Sequence, residues 1–329
     1  MGRTPRLVNW RRIFWILIAG VFVMSTTFGW NVFQTGPPKL PRAPDLAERL
    51  TAHVRMLSER IGVRDLAHLQ NLLQAEAYIR EQWTAAGYTV TAHEYAAHGV
   101  PSRNLIAERP GRDPAKPVVI FSAHYDSCGT PGADDNASGI AVLLELAGLI
   151  AGTQPGRTVR FIAFVNEEPP LFRTALMGSR VYARALKQQG GQVEMMVSLE
   201  MLGYYSNRVW SQRYPPLYGL GRPPQGDFIG LVGRPGSGPL IKRIAAAFRR
   251  GTDFPLQSTT IPEFVPGVTW SDHWSFWQEG YPAAMLTDTA FLRNPHYHAS
   301  SDTWDTLDYV RMSQLLPGLQ HVAEEFAEN

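Results

Sequence analysis

A chain of 329 residues with 44% hydrophobic and 18% charged residues holds enough material for one large α/β domain or two small ones. Its 31 basic and 29 acidic residues leave a net charge of +2, with no dense Lys/Arg run in the body, and so no nucleic-acid signature. The single cysteine, Cys128, excludes an internal disulfide and a cysteine-rich zinc site; it is read as a bystander thiol.

In chain order, the basic residues Arg3, Arg6, Arg11 and Arg12 precede an apolar run from Ile13 to Phe33 whose one strongly polar member is Asn31. Trp10, Trp15 and Trp30 sit near its ends, where membrane interfaces favour aromatics. A membrane helix needs roughly 20 apolar residues, a length this run just reaches. The expectation is a cytoplasmic N-terminus (1–12), a single-pass anchor (13–33), a Pro-rich linker (34–44) and an extracytoplasmic domain (45–329), periplasmic or extracellular. A cleaved signal peptide and a buried core helix are the alternatives, but no Ala-x-Ala-like cleavage site follows the run.

Leu46 to Ile61 and Leu66 to Ala86 carry apolar residues at helical spacing, and Gly87 is placed to close the second helix. Tyr88 to Tyr95 alternates as a strand, with a second strand at Asn104 to Glu108. Pro117 to Phe121 is a continuous apolar run of the kind buried on both faces of a sheet, and Thr158 to Val165, Val193 to Leu199 and Pro282 to Thr287 read as a second buried strand, a third strand and a fourth short one. Helical patterns at Gly139 to Ala151, Arg173 to Gln189, Ser237 to Arg250 and Thr306 to Glu325, the last bent or interrupted at Pro317, separate or follow them. The alternation predicts a single three-layer α/β/α domain around a mostly parallel sheet. Tyr204 to Phe228 has no period and reads as a long surface loop, either functional or idle.

Ligands of open α/β sheets bind beyond the carboxyl ends of the strands. There the chain places His124 and Asp126, then Glu167 and Glu168, then Glu200, from three separate segments. Carboxylates converging at such an edge repel one another unless a cation holds them. Asp134 and Asp135 lie between Gly132 and Gly139, just before a helix. Capping of that helix by Asp135, Asn136 or Ser138 accounts for one polar residue but not for two adjacent aspartates.

The ordered set His124-x-Asp126, Gly-Ala-Asp-Asp135-Asn-Ala-Ser-Gly, Asn-Glu167-Glu168, Glu200-Met-Leu-Gly, Ser-Asp272-His273 and Tyr297-His298-x-x-x-Asp302 resembles the co-catalytic zinc aminopeptidases, over roughly residues 45 to 325. That family, of the zinc-exopeptidase, phosphorylase/hydrolase-like fold, includes glutamate carboxypeptidase, the transferrin-receptor ectodomain and glutaminyl cyclase. The resemblance implies two zinc ions per chain bridged by Asp135. His124 and Glu200 would complete one, Glu168 and His298 the other. It further implies Glu167 as general base, Asp126 as the residue that orients His124, and a cis peptide after Asp135. Asp272, His273, Tyr297 and Asp302 match positions around the pocket. Many members have aspartate where this chain has Glu200.

The function implied is hydrolysis of N-terminal residues from a peptide or aminoacyl substrate by a membrane-anchored metallopeptidase of unspecified oligomeric state. A single-zinc glutaminyl cyclase is the enzymatic rival, against which the complete second ligand set argues. A non-catalytic receptor-like ectodomain is the other; it should have lost ligands or the base.

Overall fold

Strands with branched and aromatic residues on both faces must be covered on both sides, and the architecture follows from that need. The computed structural model describes residues 44–328, apart from 217. The predicted N-terminal segment, anchor and nearly all of the linker lie outside the described residues. Among the described residues no helix is long and apolar enough to cross a membrane.

Eight strands form one mixed sheet: β1 (Val90–Ala97), β2 (Val100–Arg109), β3 (Val118–His124), β4 (Val159–Phe164), β5 (Val193–Glu200), β6 (Ile229–Gly233), β7 (Leu256–Thr260) and β8 (Ala283–Thr287). Their order is β1-β2-β4-β3-β5-β8-β6-β7. The centre, β4-β3-β5-β8, is parallel throughout, as predicted, whereas β1-β2, β2-β4 and β6-β8 pair antiparallel. The sheet is therefore mixed, with a parallel heart.

Helices α1 (Pro44–Arg55), α2 (Leu69–Ala85), α3 (Gly139–Ile150), α5 (Gly238–Gly251) and α7 (Tyr309–Glu328) share one core with the sheet, while α4 (Gly178–Gln188) and α6 (His273–Gln278) pack on its other face. The two-residue period of the strands makes this division. Val119, Phe121 and Ala123 of β3 enter the first core and Ile120 the second; Phe161 and Ala163 of β4 enter the first, Ile162 and Phe164 the second. Burying a side chain of this size contributes about 1.5–3 kcal/mol.

The first predicted helix divides into α1 and a π-helical turn, Met56–Ile61. Gly87, at φ 89°, takes the left-handed position just past α2, as its residue type predicts. α4 starts at Gly178 rather than Arg173, because Glu168 to Met177 forms a chain of turns with a cis bond at Pro169–Pro170. α7 runs through Pro317 without interruption. The peptide between Asp135 and Asn136 is cis.

Candidate metal centre

The parallel register aligns the strand ends. His124 is the last residue of β3 and Glu200 the last of β5, so the geometry of the sheet brings both to one edge. Glu167 and Glu168 follow β4 after Asn166, which adopts φ 62° and is fixed by hydrogen bonds from its Nδ2 to Tyr95 Oη (2.8 Å) and Ser102 Oγ (3.0 Å). Met201 (φ 49°) and His298 (φ 53°) are likewise non-glycine residues in left-handed backbone beside the site. Such conformations cost free energy and persist where surrounding contacts hold them.

Asp135 stands at the centre. Its Oδ1 lies 3.3 Å from His124 Nε2, and Glu200 Oε1 is 3.5 Å from that same nitrogen. Its Oδ2 lies 3.2 Å from His298 Nε2, and Glu168 Oε2 is 3.3 Å from that nitrogen. Two triads of donor atoms thus share one carboxylate, one oxygen to each. Glu167 Oε2 is 4.0 Å from His124 Nε2, farther than the oxygens of Asp135 and Glu200, though its carboxylate also lies within 4.8 Å of donor atoms of His124 and Glu168.

The histidine-to-carboxylate separations, 3.2 to 3.5 Å, are those of neighbouring zinc donors, and His124, Asp135 and Glu200 offer atoms all within 4.8 Å of one another. Donors at about 2.0–2.1 Å from an ion lie about 3.3–3.4 Å apart. A charge-assisted hydrogen bond would instead bring them to about 2.7–2.9 Å. Both ring nitrogens of His124, and Glu168 Oε1, are buried with no hydrogen-bond partner. The donor types, imidazole nitrogen and carboxylate oxygen, suit zinc.

The surrounding residues hold the donors in place. Asp126 accepts from the backbone N–H of Glu168 (3.0 Å) and presents its other oxygen 3.5 Å from His124 Nδ1, at the outer limit of a hydrogen bond. Asp302 accepts from the backbone N–H groups of Asp134 (2.9 Å) and Asp135 (3.1 Å), so it anchors the loop that carries the shared carboxylate. Capping of α3 falls to Asn136, whose Oδ1 accepts from the N–H of Gly139 and of Met201 while its Nδ2 donates to Leu199 O. That arrangement leaves the Asp135 side chain free for the histidines. Gly139 is required here: a Cβ would lie 2.4 Å from Asn136 Oδ1 and 2.5 Å from Leu199 O.

Tyr297 stacks on the His298 ring at 3.9 Å between centroids. Asp272 is fully buried with neither oxygen hydrogen-bonded, close enough to Glu167 and Glu200 to act on them electrostatically. His273 points elsewhere: its Nε2 meets Val268 O at 2.8 Å and its ring packs against Trp277. Cys128, read as a bystander, borders the second triad, with its sulfur within 4.8 Å of donor atoms of Glu168 and His298. Burial first, then the Glu168 and Asp135 charges, push that thiol up to about 12.

Burial and crowding shift the titration of these groups. Burial, then the Asp135 charge, push the Glu168 carboxyl up to about 8. Burial first, and the neighbouring carboxylates Glu200 and Glu168, raise Glu167 well above its ordinary range. Burial would lower His298, but Asp135 and Glu168 override it and lift the imidazolium to about 10.

Two supporting residues escape sequence reasoning. Ser271 donates to Glu200 Oε2 at 2.6 Å and lies 2.6 Å from Ser198 Oγ; its place just before Asp272-His273 was the signal that could have found it. Arg64 is fully buried and donates to the carbonyls of Tyr125, Leu57, Gly62, Pro131 and Gly132. Burial lowers it to about 10 while Asp126 and Asp302 oppose that. Nothing in its local sequence marks it.

The Tyr204 to Phe228 excursion folds over the sheet edge. Ser206 bridges to Gly226, and Gln212 is held by Arg293 and Thr289. Together with the Val265–Trp270 segment it walls a cavity of about 110 Å³ that Glu200 and Tyr297 also line.

Residues 104–316 match the family model described as "Peptidase family M28". The uncharacterized protein YfbL of Escherichia coli (strain K12) is 38% identical over 317 residues, 93% of this chain and 96% of that one. Leucine aminopeptidase 1 of Trichophyton rubrum is 28% identical over 297 residues, 81% of this chain and 73% of that one. Among solved structures, BSAP, a zinc aminopeptidase from Bacillus subtilis, superposes with a TM-score of 0.68 at 16% identity, covering 88% of this chain and 96% of its own. A glutaminyl cyclase from Bacteroides thetaiotaomicron does so at 0.63 and 19%, covering 84% and 97%. At such identities the structures speak to the fold alone, and it is the family model and the relatives in sequence that carry the assignment. The chain belongs to peptidase family M28.

Proposed function

We propose that this protein is a membrane-anchored, di-zinc aminopeptidase whose catalytic domain faces away from the cytoplasm. The observation that carries the metal count is Asp135, which turns one oxygen to His124 and Glu200 and the other to His298 and Glu168. His124, Glu200 and Asp135 would hold one ion, and His298, Glu168 and Asp135 the second. Zinc bound there supplies a Lewis acid for the scissile carbonyl and lowers the pKa of a water.

The remaining work falls to side chains of the chain. Glu167 Oε2, at 4.0 Å from His124 Nε2, stands farther from that nitrogen than Asp135 and Glu200 and would take a proton from the attacking water and pass it to the leaving amine. Asp302 and Asn136 keep the Asp135 loop from shifting as charge moves. The cavity beside Glu200 accepts the side chain of the N-terminal residue.

Purified protein with zinc is expected to release N-terminal residues from aminoacyl substrates. Glu167→Gln should retain the metal and lose about 10²–10⁴ in turnover. Full activity in that variant would overturn the assignment of the base. Cyclisation of N-terminal glutamine peptides in place of hydrolysis would favour the cyclase reading, to which the complete second triad runs counter. The membrane placement rests on the apolar run 13–33 with arginines before it. Topology reporters fused after residue 44 should be active outside the cytoplasm, and activity only inside would refute that placement.

A further inference from the structure

The substrate cavity contains one charge that the metal centre does not use. Of the described residues that line it, only Glu200 and Arg222 are charged, and the rest of the wall is mostly apolar, including Tyr218, Phe228, Trp270 and Phe291. Arg222 lies in the Tyr204 to Phe228 excursion and is half-buried. Its one side-chain hydrogen bond is from Nη2 to Thr259 Oγ1 at 3.2 Å. No carboxylate among the described residues forms an ion pair with it.

Buried arginines without a carboxylate partner do occur here, but Arg64 and Arg293 give several donors to carbonyl and amide oxygens, where Arg222 has a single side-chain bond. Arg157 pairs with Glu194, Arg160 with Glu108, Arg180 with Glu279 and Arg103 with Glu76. Withdrawing a guanidinium from water without a counter-charge is costly, and burial does lower the Arg222 pKa. A planar fork with most of its donors uncommitted, facing an apolar cavity, is suited to a carboxylate.

Resting on the aminopeptidase reading of the same site, we propose that Arg222 is the anion-recognising residue of the substrate cavity. The preferred substrate then carries a carboxylate beyond the scissile centre. It belongs either to an acidic N-terminal side chain or to the C-terminus of a dipeptide. Glu200, which would hold one ion, and Arg222 line the same cavity, whose wall is otherwise mostly apolar.

The test is binding to the full-length, zinc-loaded Glu167→Gln protein, so that turnover does not intervene. Two isosteric pairs are titrated by calorimetry: glutamic acid α-amide against glutamine α-amide, and leucylglycine against leucylglycinamide. One carboxylate member should bind about tenfold or more tighter than its amide partner. The first pair discriminating identifies the side chain as the source, the second the C-terminus. Adding Arg222→Met should bring the pair to within about twofold at unchanged zinc content, and Arg222→Lys should keep part of the preference. Equal binding within both pairs, or a preference that survives Arg222→Met, overturns the proposal. Absence of hydrolysis by the wild-type protein would count against the aminopeptidase reading, and the binding pairs would still decide the role of Arg222.

Discussion

Glu200 is where a single methylene tests the design of the site. With aspartate common at this position in the family, a longer side chain needs somewhere to put its second oxygen. Ser271 provides that place, binding Oε2 at 2.6 Å while Oε1 stays 3.5 Å from His124 Nε2. Ser271→Ala is therefore expected to weaken zinc binding by about 10–100-fold, the usual cost of removing a hydrogen bond behind a metal ligand. Glu200→Asp should do the same, because the shorter chain cannot reach both partners. Competition with a chromophoric chelator measures this, and unchanged affinity in both variants would contradict it. The ligand candidates themselves were legible from the sequence, since each follows a buried apolar run or a glycine-bounded turn. Arg64 was not, and Ser271 was marked only by its place before Asp272-His273. A serine or arginine acquires such a role only through tertiary placement, with partners 71 residues away for Ser271 and up to 68 for Arg64.

Elements were legible where burial dominates their composition. The central strands read as mostly apolar runs, broken by Arg160 in β4 and Glu194 in β5, and the longer helices kept their period. β6 and β7 did not read as strands. Ile229–Gly233 contains two glycines, and Leu256–Thr260 is polar after its first residue, so they are strands because β8 and each other pair with them. α4 begins late, after the turns from Glu168 to Met177, at a Gly178 pressed against its surroundings: a Cβ there would lie 2.2 Å from Val165 O and 2.4 Å from Asn104 Oδ1. Helix period does not reveal such a contact. Gly139 at the start of α3 has the same character beside the metal loop. Gly139→Ala should cost about 1–3 kcal/mol by overpacking and should weaken zinc binding through displacement of Asn136. Thermal unfolding together with zinc affinity checks this, and a neutral effect on both would refute it. Arg64 ties the turn after α1 to the end of β3 and to the Gly132 turn. Arg64→Met leaves buried carbonyls without donors and should lower stability by about 3 kcal/mol or more, read from denaturant unfolding.

For the molecule as a whole, the carboxyl-rich edge makes stability depend on metal and pH together. In the metal-free fold, burial and the Asp135 charge lift Glu168 to about 8, and burial foremost lifts Asp272 and Asp302 each to about 7. A folded state that holds protons more tightly than the unfolded chain loses stability as pH rises between the two pKa values, here from about 4 to about 8. His298 acts in the same direction: its contribution is complete below about 6.5 and is lost as pH rises through about 10. Zinc displaces these protons, so its binding should release them and its stabilising effect should be larger at pH 8 than at pH 5. Melting temperatures with chelator and with excess zinc at the two pH values test this, and an equal or smaller zinc increment at pH 8 would count against it.

The account stands most directly on the shared Asp135 carboxylate, and metal stoichiometry after exhaustive dialysis measures it. Two zinc ions per chain are predicted for the native protein, one for His298→Ala, and loss of both for Asp135→Ala. A native content of one ion, or an Asp135→Ala protein that still holds two, would contradict it.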